Sequence, residues 1–393
     1  MYWFADQCEG GANTVKQSNE ATAKIRVGVA GAGMIATVHY GILPNFAPIA
    51  DKAEIVAIAD PVVDRARKVA AEFGIPAWFG SVDEMLKGAD LDAVVNLTPI
   101  PDHYAVSLAI LEAGKHLVTE KPISTTLEEA DVLCDLAESR NLVVVTAPPN
   151  MLFPDVALTK SLVREGVIGK VAFARVRSSH GGAASYAWPA DPSWFYQKGS
   201  GPLFDMGVYG IHEITGILGP AKRVVAYSGM TAPTRLVRGG PFAGKEIQVT
   251  TDDNVLLMLD FGDSSFAVVD GTFNVLAARS PHLEVFGLAG TLNLYEPLPD
   301  EPWETSIEVF RLEALPGLRG WIKPTFTERM FTPDRIMSLQ RAVLVDHLVD
   351  CLLTGQPSVL SADHARHALE IMVKAQESAR EGVVMDLTTT FVN

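Results

Sequence analysis

Between residues 24 and 147 the chain alternates two hydrophobic periods. Short apolar runs of strand length recur at Ile25 to Ala30, Ile55 to Ala59, Ala93 to Leu97, His116 to Thr119 and Leu142 to Ala147. The stretches between them, such as "PVVDRARKVAAEF" and "TLEEADVLCDLAESRN", repeat their apolar residues at helical spacing. A strand that is apolar on both faces must be covered on both, and alternating helices supply the covers. The pattern predicts a doubly wound α/β domain with a parallel sheet over residues 24–148.

Beyond Asn150 the texture changes. "KVAFARVRSSH", "KRVVAYSGM", "IQVTTDDNVLLMLDFG" and "SFAVVDGTFNV" are longer, partly alternating and joined by turns such as Gly262-Asp263, which predicts an antiparallel sheet in a second domain, residues 149–393. Two late segments, Pro333 to Leu353 and Ser361 to Glu381, return to helical periodicity, with either domain open as their packing partner.

Composition narrows the class. The 393 residues are 48% hydrophobic and 20% charged, enough for two ordinary globular domains. Residues 1–23 have neither a basic leader nor an apolar core of secretory length and read as a loose or partner-bound extension. No apolar stretch approaches the roughly 18 to 20 residues that span a bilayer, so no membrane partner is expected. Cys8, Cys134 and Cys351 lie far apart, which argues against a disulfide framework or cysteine metal site and fits a cytoplasmic protein. A net charge of -15 without a basic block disfavours nucleic acid. Small-molecule chemistry or protein partners remain.

The first strand-to-helix corner, "GVAGAGMIA", places Gly31, Gly33 and Ala36 at G-x-G-x-x-A spacing. In that context Gly31 makes the turn, Gly33 lets backbone approach a pyrophosphate, and Ala36 allows close helix packing. The N–H groups of the helix start, at Met34 and Ile35, then face the phosphates. Asp60, ending the second strand, can accept hydrogen bonds from both ribose hydroxyls and would repel a 2'-phosphate, so NAD is expected over NADP. The plain alternative is a turn glycine pair with an unrelated solvated aspartate.

Ligands of open α/β sheets bind at the carboxyl ends of the strands. Asn96, Thr98 and Pro99 end the fourth strand, His103 opens the next helix, and Glu120 and Lys121 follow the fifth strand in "TEKP". A lysine there can hold a substrate hydroxyl and ease its proton loss if burial or a nearby positive charge lowers its pKa. Alternatively it is a surface lysine paired with Glu120.

Together "GVAGAGMIA", "VNLTPIPDHY", "TEKP" and "GSGPLFDMGVYGIHEITGILGP" resemble the glucose-fructose oxidoreductase, inositol dehydrogenase and MocA (Gfo/Idh/MocA) family, from Lys24 onward. The resemblance implies a nicotinamide cofactor on a Rossmann domain, a C-terminal domain with a large open antiparallel sheet, and hydride transfer at a carbinol carbon of a sugar or cyclitol. It also implies a cis Lys121-Pro122 bond and a homodimer or homotetramer that covers the open sheet.

Asp205, Tyr209 and His212 stand at i, i+4 and i+7, so one helix would carry all three on one face. In most of the family the residue at Tyr209 is a histidine that shuttles the proton; some members resemble this chain in having tyrosine. His212 stands where aspartate is common and is a second acid-base candidate or a partner orienting Tyr209. Asp205 either holds Lys121 and the substrate or caps the helix start. Asn150 is expected as a cofactor or substrate ligand, and His180, Trp188 and Trp194 along the substrate, the aromatic rings offering a stacking wall for sugar C–H faces, or else closing the domain core or meeting a subunit. Leu152 stands where relatives usually carry arginine, so an anionic contact is left open here. No metal site is expected.

Three functional classes follow: an NAD-dependent dehydrogenase acting on a sugar, glycoside or cyclitol; a redox-assisted glycoside-cleaving enzyme that retains NAD; and an NAD-binding regulator without turnover.

Overall fold

The computed structural model describes residues 24–295, 306–315, 317–324 and 339–393. The extension expected over 1–23 lies outside the described residues.

Six strands form the first sheet: β1 (Ile25–Ala30), β2 (Ala53–Ala59), β3 (Ala77–Phe79), β4 (Ala93–Asn96), β5 (His116–Thr119) and β6 (Val144–Thr146). All pairings are parallel, in the order β3-β2-β1-β4-β5-β6. On β1 the adjacent residues Val29 and Ala30 point to opposite faces and belong to separate buried clusters, so both faces are covered. The helices are α1 (Met34–Thr37), α2 (Val63–Phe73), α3 (Val82–Gly88), α4 (His103–Glu112), α5 (Leu127–Ser139) and α6 (Pro154–Arg164). Helix α5 starts at a capping box in which Thr126 and Glu129 satisfy each other's backbone N–H groups. The helix expected after Gly33 is a single turn, which ends where Val38 takes an extended backbone, φ -64° and ψ 155°. The order reverses between β1 and β4, opening a crevice at their carboxyl ends.

Nine described strands form the second sheet: β7 (Val171–Arg177), β8 (Arg223–Gly229), β11 (Asn254–Gly262), β12 (Ser265–Thr272), β13 (Leu283–Gly287), β14 (Gly290–Leu294), β15 (Ile307–Leu315), β16 (Leu318–Ile322) and β17 (Met385–Asp386). A small hairpin, β9 (Thr234–Leu236) and β10 (Glu246–Gln248), stands apart. The large sheet is antiparallel except for the β7–β12 pair. Val224, Ala226, Leu257, Leu259 and Val269 face inward and join one core with Ile211 and Ile214 of α7 (Val208–Leu218). The alternate residues Tyr227, Leu256, Met258 and Phe266 are exposed on the opposite face.

The late helices are α8 (Val343–Thr354) and α9 (Ala362–Glu381). Helix α8 packs on β5 and β6, whereas α9 lies against α5 of the first domain and α7 and β8 of the second. Helix α9 thus bridges both domains, and the chain between the two helices adds to the first sheet's edge, where Thr146 N–H donates to the Leu360 carbonyl at 3.0 Å.

Candidate active site

The crevice is built first from backbone. Gly31 has φ 103°, and a Cβ there would lie 2.8 Å from the Leu97 carbonyl oxygen, so no other residue fits this turn. At Gly33 a Cβ would meet nothing within 4 Å, which marks the open side of the corner. Asp60 ends β2 and is 2% exposed; its Oδ2 accepts from Ala32 N–H at 2.9 Å and its Oδ1 from Val62 N–H at 2.8 Å. Burial alone would raise its pKa, but hydrogen bonds from Arg65, Ala32 and Val62 outweigh that and hold it below the usual carboxylate range.

Next to the corner, Asn96 and His103 tie the loops together. Asn96 Oδ1 accepts from both the N–H and the hydroxyl of Thr98, and its amide donates to the His103 carbonyl and Ser107. The His103 ring spans the carbonyls of Pro122 at 2.7 Å and Thr98 at 2.9 Å. These two buried side chains fix the crevice rim rather than presenting atoms to a ligand. The Lys121-Pro122 bond is cis.

Lys121 reaches across to the second domain. Its Nζ donates to the Asp205 carbonyl at 2.6 Å and to Asp205 Oδ1 at 3.1 Å, and lies 5.2 Å from the centroid of the Tyr209 ring. Asp205 sits in a π turn, Leu203–Gly207, that leads into α7 and leaves this carbonyl available. Ser178 steadies the turn: its hydroxyl donates to the Met206 carbonyl and accepts from Gly210 N–H. Burial would lower the Lys121 pKa, yet Asp205, Tyr209 and Glu120 outweigh it and keep the group raised, so it is a firm cation. Glu120 pairs instead with Arg341, whose Nη1 donates to Oε1 at 2.6 Å and whose guanidinium also reaches the Tyr209 phenol.

A cavity of about 470 Å³ opens beside Tyr209. Its wall includes Tyr40, Asn150, Asp155, Arg177, Glu213 and His282. His282 Nε2 lies 3.0 Å from Glu213 Oε1, and Asn150 donates to Glu213 Oε2 at 3.3 Å. Burial, reinforced by Glu213, pushes the Asp155 carboxyl up to about 6.

The chain matches two family profiles in succession: the oxidoreductase family's NAD-binding Rossmann fold over residues 25–147 and the GFO/IDH/MocA C-terminal domain over residues 156–293. The chain belongs to the GFO/IDH/MocA oxidoreductase family. Levoglucosan dehydrogenase of Pseudarthrobacter phenanthrenivorans is 29% identical over 68% of this chain and 73% of its own length. Myo-inositol 2-dehydrogenase of Thermotoga maritima is 25% identical over 91% and 97%. Among solved structures, levoglucosan dehydrogenase in complex with NADH superposes with a TM-score of 0.79 at 22% identity, covering 93% of this chain and all of that one.

Within this GFO/IDH/MocA chain, the first domain is thus the NAD-binding one, and its bare corner at Gly31 and Gly33 with Asp60 beyond it fits a dinucleotide. Several expected residues stand elsewhere. His212 does not line the cavity with Tyr209: Tyr209, His212 and Glu213 all lie in the regular part of α7, where Glu213, four residues after Tyr209, rather than His212, three after it, faces the cavity. His212 is instead buried against His364, ring centroids 4.6 Å apart. Burial, with His367 nearby, pushes its pKa down to about 3, so the ring is neutral at neutral pH. Trp188 packs on Phe195 in a satellite cluster, Trp194 lies against Phe195 while staying half exposed, and neither is on the cavity wall. His180 does arrive: its Nε2 lies 4.0 Å from Asp205 Oδ2 while Nδ1 accepts from Gly182 N–H at 2.8 Å. The lowered lysine pKa considered above is reversed by Asp205. Arg341, Tyr40, Asp155 and His282 carried no sequence signal, since single polar residues far apart in the chain meet only after folding.

Proposed function

We propose that the protein is a dehydrogenase acting on a carbinol carbon of a sugar, glycoside or cyclitol, with Lys121, Asp205 and Tyr209 as the proton-handling and substrate-holding group. The reading rests on one observation: the Lys121 ammonium, from the Rossmann domain, lies over the Tyr209 ring, from the second domain, beside a cavity of sugar size. NAD, when bound, supplies the hydride acceptor or donor.

In the oxidative direction Tyr209 acts as base in its phenolate form, taking the proton of the substrate hydroxyl and becoming the phenol while the hydride leaves the carbinol carbon for the nicotinamide. Lys121 donates a hydrogen bond to the same oxygen and stabilises the charge that develops on it. Asp205 keeps Lys121 charged and aimed, and His180 presents its Nε2 side to Asp205. Around the cavity, Asn150, Asp155, Arg177, Glu213 and His282 offer both donors and acceptors, which suits a ring bearing several hydroxyls. The exposed row Tyr227, Leu256, Met258 and Phe266 suits a second copy of this chain, and Met258→Asp is expected to reduce the mass measured by light scattering.

The test is a screen of anhydrosugars, aldoses, glycosides and inositols with NAD, read at the absorbance of NADH. Stoichiometric NADH from at least one of them supports the reading. Tight NADH binding with no turnover on any polyol, in either direction, refutes it.

A further inference from the structure

The carboxylate that should receive the adenosine ribose is already saturated. Asp60 has about four in-plane lone-pair positions. Ala32 N–H and Arg65 Nε occupy Oδ2, both at 2.9 Å, while Val62 N–H at 2.8 Å and Arg65 Nη2 at 2.7 Å occupy Oδ1. The two backbone donors belong to the glycine corner and the entry to α2, and they cannot leave without dismantling the site. Arg65 can leave: its side chain is 47% exposed, against 2% for that of Asp60.

The two nucleotides therefore face different situations. A ribose diol reaches Asp60 only by displacing the guanidinium. A 2'-phosphate needs no displacement, because Arg65 uses only Nε and Nη2 on Asp60 and can turn its remaining N–H groups to the phosphate, screening it from the carboxylate. We infer that Arg65 competes with the ribose diol for Asp60 and bridges Asp60 to a 2'-phosphate, so that this side chain sets the balance between NAD(H) and NADP(H). The inference rests on the dinucleotide site alone and is independent of the substrate.

Arg65→Gln removes the charge at similar size, and Arg65→Ala removes the whole group. With co-purifying nucleotide stripped, binding of NADH and NADPH is titrated by nicotinamide fluorescence for wild type, both variants and Arg65→Lys. Either neutral variant is expected to bind NADH about threefold to tenfold more tightly and NADPH at least about tenfold more weakly, the scale of one part-exposed charged contact in each case. Arg65→Lys, which keeps the charge but not the fork, is expected between wild type and Arg65→Gln. If both dissociation constants rise together, Arg65 merely holds Asp60 in place, and the inference fails. It fails equally if neither constant moves in a variant whose thermal unfolding without nucleotide matches wild type.

Discussion

Mild acid is expected to loosen the junction between α7 and α9. Three imidazoles are buried there without a carboxylate partner on their rings. His364 stacks on Phe391 and meets the Thr215 hydroxyl at 2.8 Å; His367 Nε2 accepts from Ala221 N–H at 3.0 Å; His212 Nδ1 has no partner. Burial pushes His212 down to about 3 and His367 down to about 4, and holds His364 well below its ordinary value. In the unfolded chain each titrates near 6.5. Between the folded and unfolded values the unfolded state binds more protons, so stability is complete above about pH 6.5 and falls as pH drops toward the folded values. At pH 5 His212 and His367 each remove about 2 kcal/mol, at 1.36 kcal/mol per pH unit, about 4 kcal/mol together, and His364 acts in the same direction. Asp155 works the other way: with a folded value of about 6 it regains roughly 1 kcal/mol over the same interval. A net loss of at least about 3 kcal/mol is a large part of the stability of an ordinary domain. Urea unfolding followed by tryptophan fluorescence at pH 7.5 and pH 5 measures it. His212→Leu removes one titrating group and is expected to reduce the difference by about 2 kcal/mol. Equal stability at both pH values, within about 1 kcal/mol, would refute the burial of neutral imidazoles.

The glycine corner gives a paired outcome. Gly31→Ala is expected to lower the melting temperature, because its Cβ meets the Leu97 carbonyl at 2.8 Å, whereas Gly33→Val is expected to melt like wild type and yet lose NADH binding by fluorescence titration. Asp155→Asn is expected to abolish any change of KM near pH 6, where the wild-type carboxyl gains its proton, when KM is measured from pH 5 to 8. Arg341→Met breaks the pair with Glu120 and the contact with Tyr209, and is expected to lower kcat more than it raises KM in steady-state kinetics.

The fold was legible where a local pattern has one physical solution. Apolar strands such as Val27 to Ala30 and Ala93 to Asn96 require covers on both faces, and the parallel sheet follows. Gly31 was legible for the same reason, since a single steric demand fixes it. The site was less so. A π turn at Leu203–Gly207 has no compositional mark, yet it offers the Asp205 carbonyl to Lys121, and helical spacing alone does not say that Glu213 rather than His212 faces the cavity. The ring of Trp194 signals stacking chemistry in a linear sequence, but only packing reveals that Phe195 is its partner at 4.1 Å. Arg341 is separated from Glu120 by 221 positions, and nothing short of the folded chain joins them.

The central claim is that Lys121 and Tyr209 form one proton-handling unit at the domain boundary. Its most direct measurement is turnover and NADH affinity of Lys121→Met and Tyr209→Phe on whichever polyol the screen identifies. The account predicts that kcat falls by about 100-fold to 10,000-fold in each variant while the NADH dissociation constant stays within about threefold of wild type. Turnover within about threefold of wild type in either variant would contradict it.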